Sequence, residues 1–138
     1  MRKNIMREIC LIIISFILLS GCGPSPEYSK RARGFKIVKN GTLELVEEIK
    51  EGQKLPKSYY TFYFDKRDRP IEYVFYDGAI EKRSSKISYN KDGKISEMSN
   101  YEKGKYNGVS KFVYDEQGNI EKEMVYDASL NFLFSKKL

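Results

Sequence analysis

Apolar and polar positions alternate through residues 59–133, and the pattern recurs with a period of 25 residues. Side chains two apart on a strand point to one face of a sheet. The recurring apolar positions therefore predict a ladder of side chains across neighbouring strands. The aligned sets are, in order along the repeat, Phe62, Ile87 and Phe112; Phe64, Tyr89 and Tyr114; Asp65, Asn90 and Asp115; and Tyr76, Tyr101 and Tyr126. Each copy predicts strand, tight turn and strand, with copies at about 59–83, 84–108 and 109–133.

The turn inside each copy is indicated by an Asp or Asn followed three residues later by a Gly, at Gly93 and Gly118. The Asx side chain bonds the turn backbone, and Gly adopts the left-handed conformation that a side chain resists. The first copy has Asp68 in the Gly position and Pro70 where the others have Ile. Because Pro has no N–H to give to a ladder, we expect the first copy to be the irregular or edge-like unit.

Upstream of the repeats, Asn40-Gly41 separates two short apolar segments, residues 35–38 and 42–49. This pair favours a two-residue hairpin turn, in which both central residues have positive φ. The second segment also has spacing compatible with a short helix, and we favour a strand. The fold class predicted for residues 35–138 is all-β: an antiparallel meander of repeated hairpins that forms one extended, twisted sheet.

The most apolar stretch is residues 9–19, which carry no charge and follow Arg2, Lys3 and Arg7. A transmembrane helix needs about 20 apolar residues, roughly twice this length. A basic leader, a short apolar run and small residues after it are typical of a secretory signal peptide. The alternatives are a buried core helix, which the lack of a polar face disfavours, and an uncleaved N-terminal anchor.

Directly after this run, Leu19-Ser20-Gly21-Cys22 resembles the lipobox of bacterial lipoproteins. The resemblance implies that residues 1–21 are a cleaved signal peptide and that the Cys22 thiol carries a diacylglyceryl group. It implies a protein anchored in the cell membrane and facing away from the cytoplasm. Gly23, in place of Asp, favours the outer membrane where the cell has one. Residues 22–34 contain two prolines and are predicted to form the lipidated end and a flexible tether.

Composition narrows the chemistry of the mature chain. The chain has no His and no Trp, and of its two Cys, Cys10 would leave with the signal peptide. Missing His removes the usual base near neutral pH and the commonest metal ligand. We therefore predict a non-enzyme with no catalytic residues, no cofactor and no metal site. The 19 Asp and Glu keep a carboxylate-dependent hydrolase as an alternative.

The net charge is +6, and loss of residues 1–21, which carry three basic residues and Glu8, would leave the mature chain near +4, a mild excess. Basic residues cluster after Cys22, where they either attract an anionic membrane or form a solvated tether. Nucleic acid is an unsuitable partner for an exported protein. The clustered basic residues are Lys30, Arg31, Arg33, Lys36 and Lys39.

The repeats resemble the bacterial variant of the MORN repeat, which occurs in proteins often described as antitoxins. The segments that carry the resemblance are NYEKGKYNG at residues 100–108 and YDEQGNI at residues 114–120. Through Tyr114-Asp115 and Gly118 the repeats are also similar to the YD repeats of large secreted toxins. Neither resemblance implies a particular functional residue.

Strand alternation predicts an aromatic side of the sheet and a charged side, on which Glu72, Glu97 and Lys122 share a repeat position. The aromatic side is either only the core or, where uncovered, also a binding surface. We predict a membrane-anchored, non-catalytic module that binds or scaffolds a protein partner in the cell envelope. An immunity-type protein that captures a toxin is the alternative among binding functions. The sequence leaves the oligomeric state open.

Overall fold

The computed structural model describes residues 28–138. The signal peptide and the lipidation of Cys22 lie outside the described residues and stay predictions. Within the described part, no helix is long and apolar enough to cross a membrane. The strands are β1 Ser29–Ala32, β2 Phe35–Ile37, β3 Leu43–Leu45, β4 Glu48–Ile49, β5 Ser58–Phe64, β6 Pro70–Asp77, β7 Ile80–Tyr89, β8 Ile95–Glu102, β9 Lys105–Tyr114, β10 Ile120–Tyr126 and β11 Phe132–Lys137.

Nine of these strands form one antiparallel sheet in the order β11-β10-β9-β8-β7-β6-β5-β1-β4. From β5 to β11, each strand pairs with the next along the chain, which confirms the predicted all-β meander of hairpins. The remaining strands, β2 and β3, pair only with each other and form a separate hairpin.

The three copies share one register, including the same irregularity. In each copy one extra residue, Ile71, Ser96 or Glu121, bulges out of the second strand. In the turn before that strand, the side-chain Oδ1 of Asp65, Asn90 or Asp115 accepts backbone N–H bonds, as predicted. Asp68 has φ 56°, close to the 77° of Gly93 and the 79° of Gly118, so it replaces Gly in the same conformation.

The prediction that the first copy is irregular or edge-like is wrong. Its strands β5 and β6 lie inside the sheet, because β1 and β4 cover the β5 side. The N–H groups at the Pro70 position of the other copies do not enter the ladder. They bond the separate hairpin: Ile95 donates to the Gly41 carbonyl at 3.0 Å, and Ile120 donates to the Lys39 carbonyl at 2.8 Å. Pro70 therefore removes no ladder bond.

The hairpin at Asn40-Gly41 differs from the prediction in turn type and in length. Val38 N–H bonds the Thr42 carbonyl and Gly41 N–H bonds the Val38 carbonyl, so three residues lie between the bonded pair Val38 and Thr42. Of this pair, Gly41 alone has positive φ. The predicted second arm, residues 42–49, is two strands: β3 completes the hairpin, whereas β4 joins the large sheet beside β1.

The predicted tether also extends too far, because Ser29–Ala32 is strand β1 of the large sheet. It pairs with β5 on one side and β4 on the other, and the Ala32 side chain is fully buried. A four-residue strand rich in basic side chains shows too little alternation to be recognised in sequence. The domain therefore includes Ser29–Ala32 and does not begin at residue 35.

The core lies between the β2–β3 hairpin and one face of the large sheet, which we call the hairpin face. The side chains of Ile37 and Leu43 pack against a buried cluster on this face, and Phe35 packs against Tyr60, Phe62 and Tyr73. The apolar ladder predicted from Phe62, Ile87 and Phe112 is confirmed, since all three are buried. The buried cluster comprises Ile87, Ile95, Met98, Phe112 and Ile120.

Candidate functional site

The opposite face of the sheet, the open face, carries both charged and aromatic side chains. Register places Tyr76 on the same face as Glu72, and Tyr101 on the same face as Glu97. The predicted division into an aromatic side and a charged side is therefore wrong. Alternating Lys and Tyr stabilise this face: Lys86 lies 5.6 Å from the Tyr101 ring centroid, and Lys111 lies 5.5 Å from that of Tyr126.

On the hairpin face, the β2–β3 hairpin leaves a cleft of about 670 Å³ open beside it. Tyr60 and Phe75 face each other across β5 and β6 and form an aromatic wall. In the adjacent row of paired residues the side chains become smaller from strand to strand, because Tyr73 pairs with Ser85, Ser85 with Asn100 and Asn100 with Gly108. The step from large to small side chains makes the surface concave.

The floor of the cleft is held by partly buried hydrogen bonds of the buried Ser85 hydroxyl. Ser85 is 3% exposed, and its Oγ lies 2.9 Å from the Tyr73 hydroxyl and 2.7 Å from Oδ1 of Asn100. Burial raises the pKa of Tyr73, so its hydroxyl stays protonated and available as a donor. Buried polar groups with satisfied partners have few alternative arrangements, which fixes the Asn100 amide in place.

Arg83 supplies the positive charge of the cleft. Its guanidinium carbon lies 4.9 Å from the Phe75 ring centroid, and Nη2 donates a long bond of 3.4 Å to the Tyr60 hydroxyl. Within residues 28–138, the ion pairs of the structure do not include Arg83. Glu102 carries the one carboxylate among the lining residues, and Lys82 adds a second cation.

A second candidate surface is β11, which forms one edge of the large sheet and pairs only with β10. We call this surface the C-terminal edge. Every residue of the strand is exposed. Phe132 packs against Tyr126, and Phe134 lies opposite Val125, yet each ring remains more than half exposed. The large exposed apolar side chains here are Leu130, Phe132, Leu133, Phe134 and Leu138.

The turn before β11 repeats the turn chemistry of the three copies. Oδ1 of Asp127 accepts bonds from the N–H groups of Ser129 and Asn131, both at 2.9 Å. Leu130 stands in the Gly position of this turn with φ 64° and is 63% exposed. Positive φ is strained for a residue with a side chain, so an apolar group is displayed here at a conformational cost.

Sequence reasoning missed the C-terminal edge, because residues 130–134 lack a period-2 alternation that would separate a buried face from an exposed one. An Asp at the start of this turn was a signal that the sequence offered. Asp127 accepts backbone N–H bonds from the residues two and four positions later, as Asp65 does in the first copy. The cleft could not be located from spacing, because it depends on where the separate hairpin lies.

No family model matches the chain, and no curated protein shows significant similarity to it.

Proposed function

We propose that the protein is a membrane-anchored bacterial lipoprotein whose β-repeat domain is a non-catalytic module that binds a partner protein through its C-terminal edge. The observation that carries the proposal is the exposed apolar strand β11. Large apolar patches are rare on soluble proteins except where a partner covers them. The lipobox resemblance of Leu19-Ser20-Gly21-Cys22 supports the membrane location.

An edge strand offers backbone N–H and C=O groups to another strand. An extended segment of a partner can therefore add to β11 by main-chain hydrogen bonds, while its side chains contact the exposed apolar residues. Phe132 and Phe134 provide this contact on the two faces of the sheet. Phe132 packs edge-on against the open-face residue Tyr126, whereas a register shift places Phe134 opposite Val125 of β10.

The positive charge of β11 indicates which residues a partner strand would carry. Lys137 lies directly opposite Lys122, and like charges across a strand pair repel. Residues 128–138 contain no Asp or Glu. An added strand that alternates apolar and acidic residues would relieve this repulsion, whereas a second copy of β11 would bring further lysines. The expected partner is a protein with such an acidic, apolar strand.

A peptide titration of the full-length protein in detergent micelles tests the proposal. The probe is a hexapeptide that alternates Val and Glu, and its comparison is one that alternates Val and Lys. Amide resonances of β11 should shift with the acidic peptide. In Phe134→Glu we expect at least about tenfold weaker binding, because an acidic side chain replaces an apolar contact.

Ile80→Glu is the matched control, since Ile80 is a comparably exposed apolar residue (61% exposed) on another strand. It should leave peptide affinity unchanged. Equal binding of the basic peptide, equal loss in both variants, or a protein that dimerises through β11 and excludes the peptide would each contradict the proposal.

A further inference from the structure

The cleft on the hairpin face combines an aromatic wall with hydrogen-bond donors and a net positive charge, and nothing in the proposed protein binding uses it. It is formed by residues of β2 and of β5 to β9, whereas the C-terminal edge is at one end of the sheet. We propose that this cleft binds an oxyanion, a carboxylate or a phosphate, carried on a planar apolar body. Its volume lies within the range of small-molecule sites, about 300 to 1,000 Å³.

Arg83 is the anion-binding group. A guanidinium that lies over an aromatic ring keeps its N–H donors at the perimeter, where they can meet a planar anion in pairs. The Phe75 ring holds Arg83 in this way. Its bond to Tyr60 is long, and no carboxylate of the described chain forms an ion pair with it, so its donors are available to a ligand.

Asn100 supplies a second donor beside Arg83. Its Oδ1 is occupied by the buried Ser85 hydroxyl. This bond turns the amide so that Nδ2 is the group left for a ligand, and among residues 28–138 the structure gives Nδ2 no hydrogen-bond acceptor. A donor held in position before binding loses little conformational entropy when the ligand arrives.

The wall of the cleft determines what carries the anion. The rings of Tyr60 and Phe75 lie 5.0 Å apart, and Phe35 from the hairpin packs edge-on against Tyr60. These side chains are only partly buried. A planar apolar group can therefore stack on them while its anionic substituent reaches Arg83 and Asn100. The cations Lys82 and Arg83 outnumber Glu102, which favours a negative ligand.

Titration with three small probes tests the site in the full-length protein in micelles. Benzoate carries a carboxylate, phenyl phosphate carries a phosphate, and benzyl alcohol carries a ring of the same size without charge. At least one anion should bind in the millimolar range or tighter and shift the resonances of Arg83 and Asn100. Benzyl alcohol should bind at least about tenfold more weakly, because a charged group strengthens the hydrogen bonds. The stronger anion identifies the class of ligand.

Two variants separate the site from general partition into the micelle. Arg83→Gln should weaken anion binding at least about tenfold. Asn100→Asp keeps the oxygen that accepts from Ser85 but replaces the donor with a negative charge, so it should abolish binding. Arg67→Gln, in an exposed turn at the other end of β5, should bind as the unmodified protein does.

The proposal is overturned if neither anion binds, if benzyl alcohol binds equally well, or if Arg83→Gln and Arg67→Gln behave alike. Amide spectra of each variant without ligand check that the sheet is intact. Binding of the Val-Glu peptide to β11 is measured on the same samples. The anion titration therefore tests the cleft, and the peptide titration tests β11. If the cleft binds no anion, the proposed protein binding can still be confirmed or contradicted.

Discussion

At the scale of single residues, one repeat position shows how similar side chains acquire different roles. Asp65, Asn90 and Asp115 each accept backbone N–H bonds in their turns. Asp65 also receives two guanidinium bonds from Arg69, at 2.9 and 2.7 Å. The backbone N–H of Arg69, assisted by this guanidinium, holds the pKa of Asp65 below its ordinary value of 3.8, although partial burial opposes the shift.

This lowered pKa predicts a pH-dependent effect of Asp65→Asn. The amide keeps the turn bonds, as Asn90 does, but loses the charged pair with Arg69. We expect the free energy of unfolding to fall at neutral pH, by at most about 1 kcal/mol because the pair is partly exposed. A depressed carboxylate pKa stabilises the fold above the unfolded pKa, and this contribution disappears as pH falls through the folded pKa.

Urea unfolding at neutral pH and at about pH 2.5 measures the effect, and the difference between wild type and Asp65→Asn should shrink at the lower pH. Asp115→Asn is the control, because Asn119 stands where the first copy has Arg69. It should be closer to wild type at both pH values. A difference that is independent of pH, or equal in the two variants, would contradict the role of the Arg69 pair.

At the scale of elements, the β2–β3 hairpin has a fixed place because its turn bonds the repeats directly. The carbonyls of Lys39 and Gly41 accept from the N–H groups of Ile120 and Ile95. A Cβ added at Gly41 would collide with the Tyr114 hydroxyl, which itself donates to the Ile95 carbonyl at 2.5 Å. The hairpin turn therefore packs against the copies at a point with no room for a side chain.

Gly41→Ala and Gly93→Ala form a matched pair that tests this contact. The two glycines have nearly equal φ, 79° and 77°, but a Cβ at Gly93 would meet no atom within 4 Å. Gly93→Ala should cost about 1 kcal/mol from the left-handed conformation. We expect Gly41→Ala to cost at least about 1 kcal/mol more, because Tyr114 must move and lose its partly buried hydrogen bond to Ile95. Equal midpoints of urea unfolding for the two variants would show that the hairpin turn does not pack as described.

The elements also show what the sequence could predict and why. The repeat region was predictable because its turns are local: an Asx, a residue that tolerates positive φ, and a two-strand pattern lie within one copy. The pairing of β1 between β5 and β4 is not local, and short strands leave no period to recognise. Ladder bonding alone does not explain Pro70, because the N–H groups at its position in the other copies bond the hairpin turn and not a strand.

At the scale of the whole molecule, the candidate sites depend on this non-local arrangement. The cleft needs the aromatic pairs of β5 and β6, the small side chains that follow them, and a hairpin that stops short of covering both. The aromatic pairs and the small side chains are properties of neighbouring strands, whereas the position of the hairpin is not. The C-terminal edge is an edge because β1 and β4 add to the other end of the sheet. Neither surface follows from the repeat period alone.

The order of strands also places the beginning and the end of the described chain far apart in the sheet. Strand β1 lies near one end of the sheet and β11 forms the other end. Neighbouring strands are about 4.8 Å apart and seven such steps separate these two strands, a distance of roughly 34 Å. A lipid on Cys22 would be joined to β1 by only six residues, which span at most about 25 Å. The anchor would then keep the β1 end within about 25 Å of the bilayer, and the C-terminal edge lies at the opposite end of the sheet.

Labelling with a radioactive fatty acid tests this anchor at its one expected atom, the Cys22 sulfur. Wild-type protein should incorporate the label and lose the leader of residues 1–21. Cys22→Ala should incorporate none and keep its leader, because alanine has no nucleophile to accept the lipid. Cys10→Ala is the matched control and should be labelled and processed normally, since Cys10 lies within the leader. Two or more acyl chains bind a membrane firmly, at about 0.8 kcal/mol per buried CH₂. Label that persists in Cys22→Ala would overturn the lipid anchor on Cys22 and, with it, the nearness of the β1 end to the bilayer.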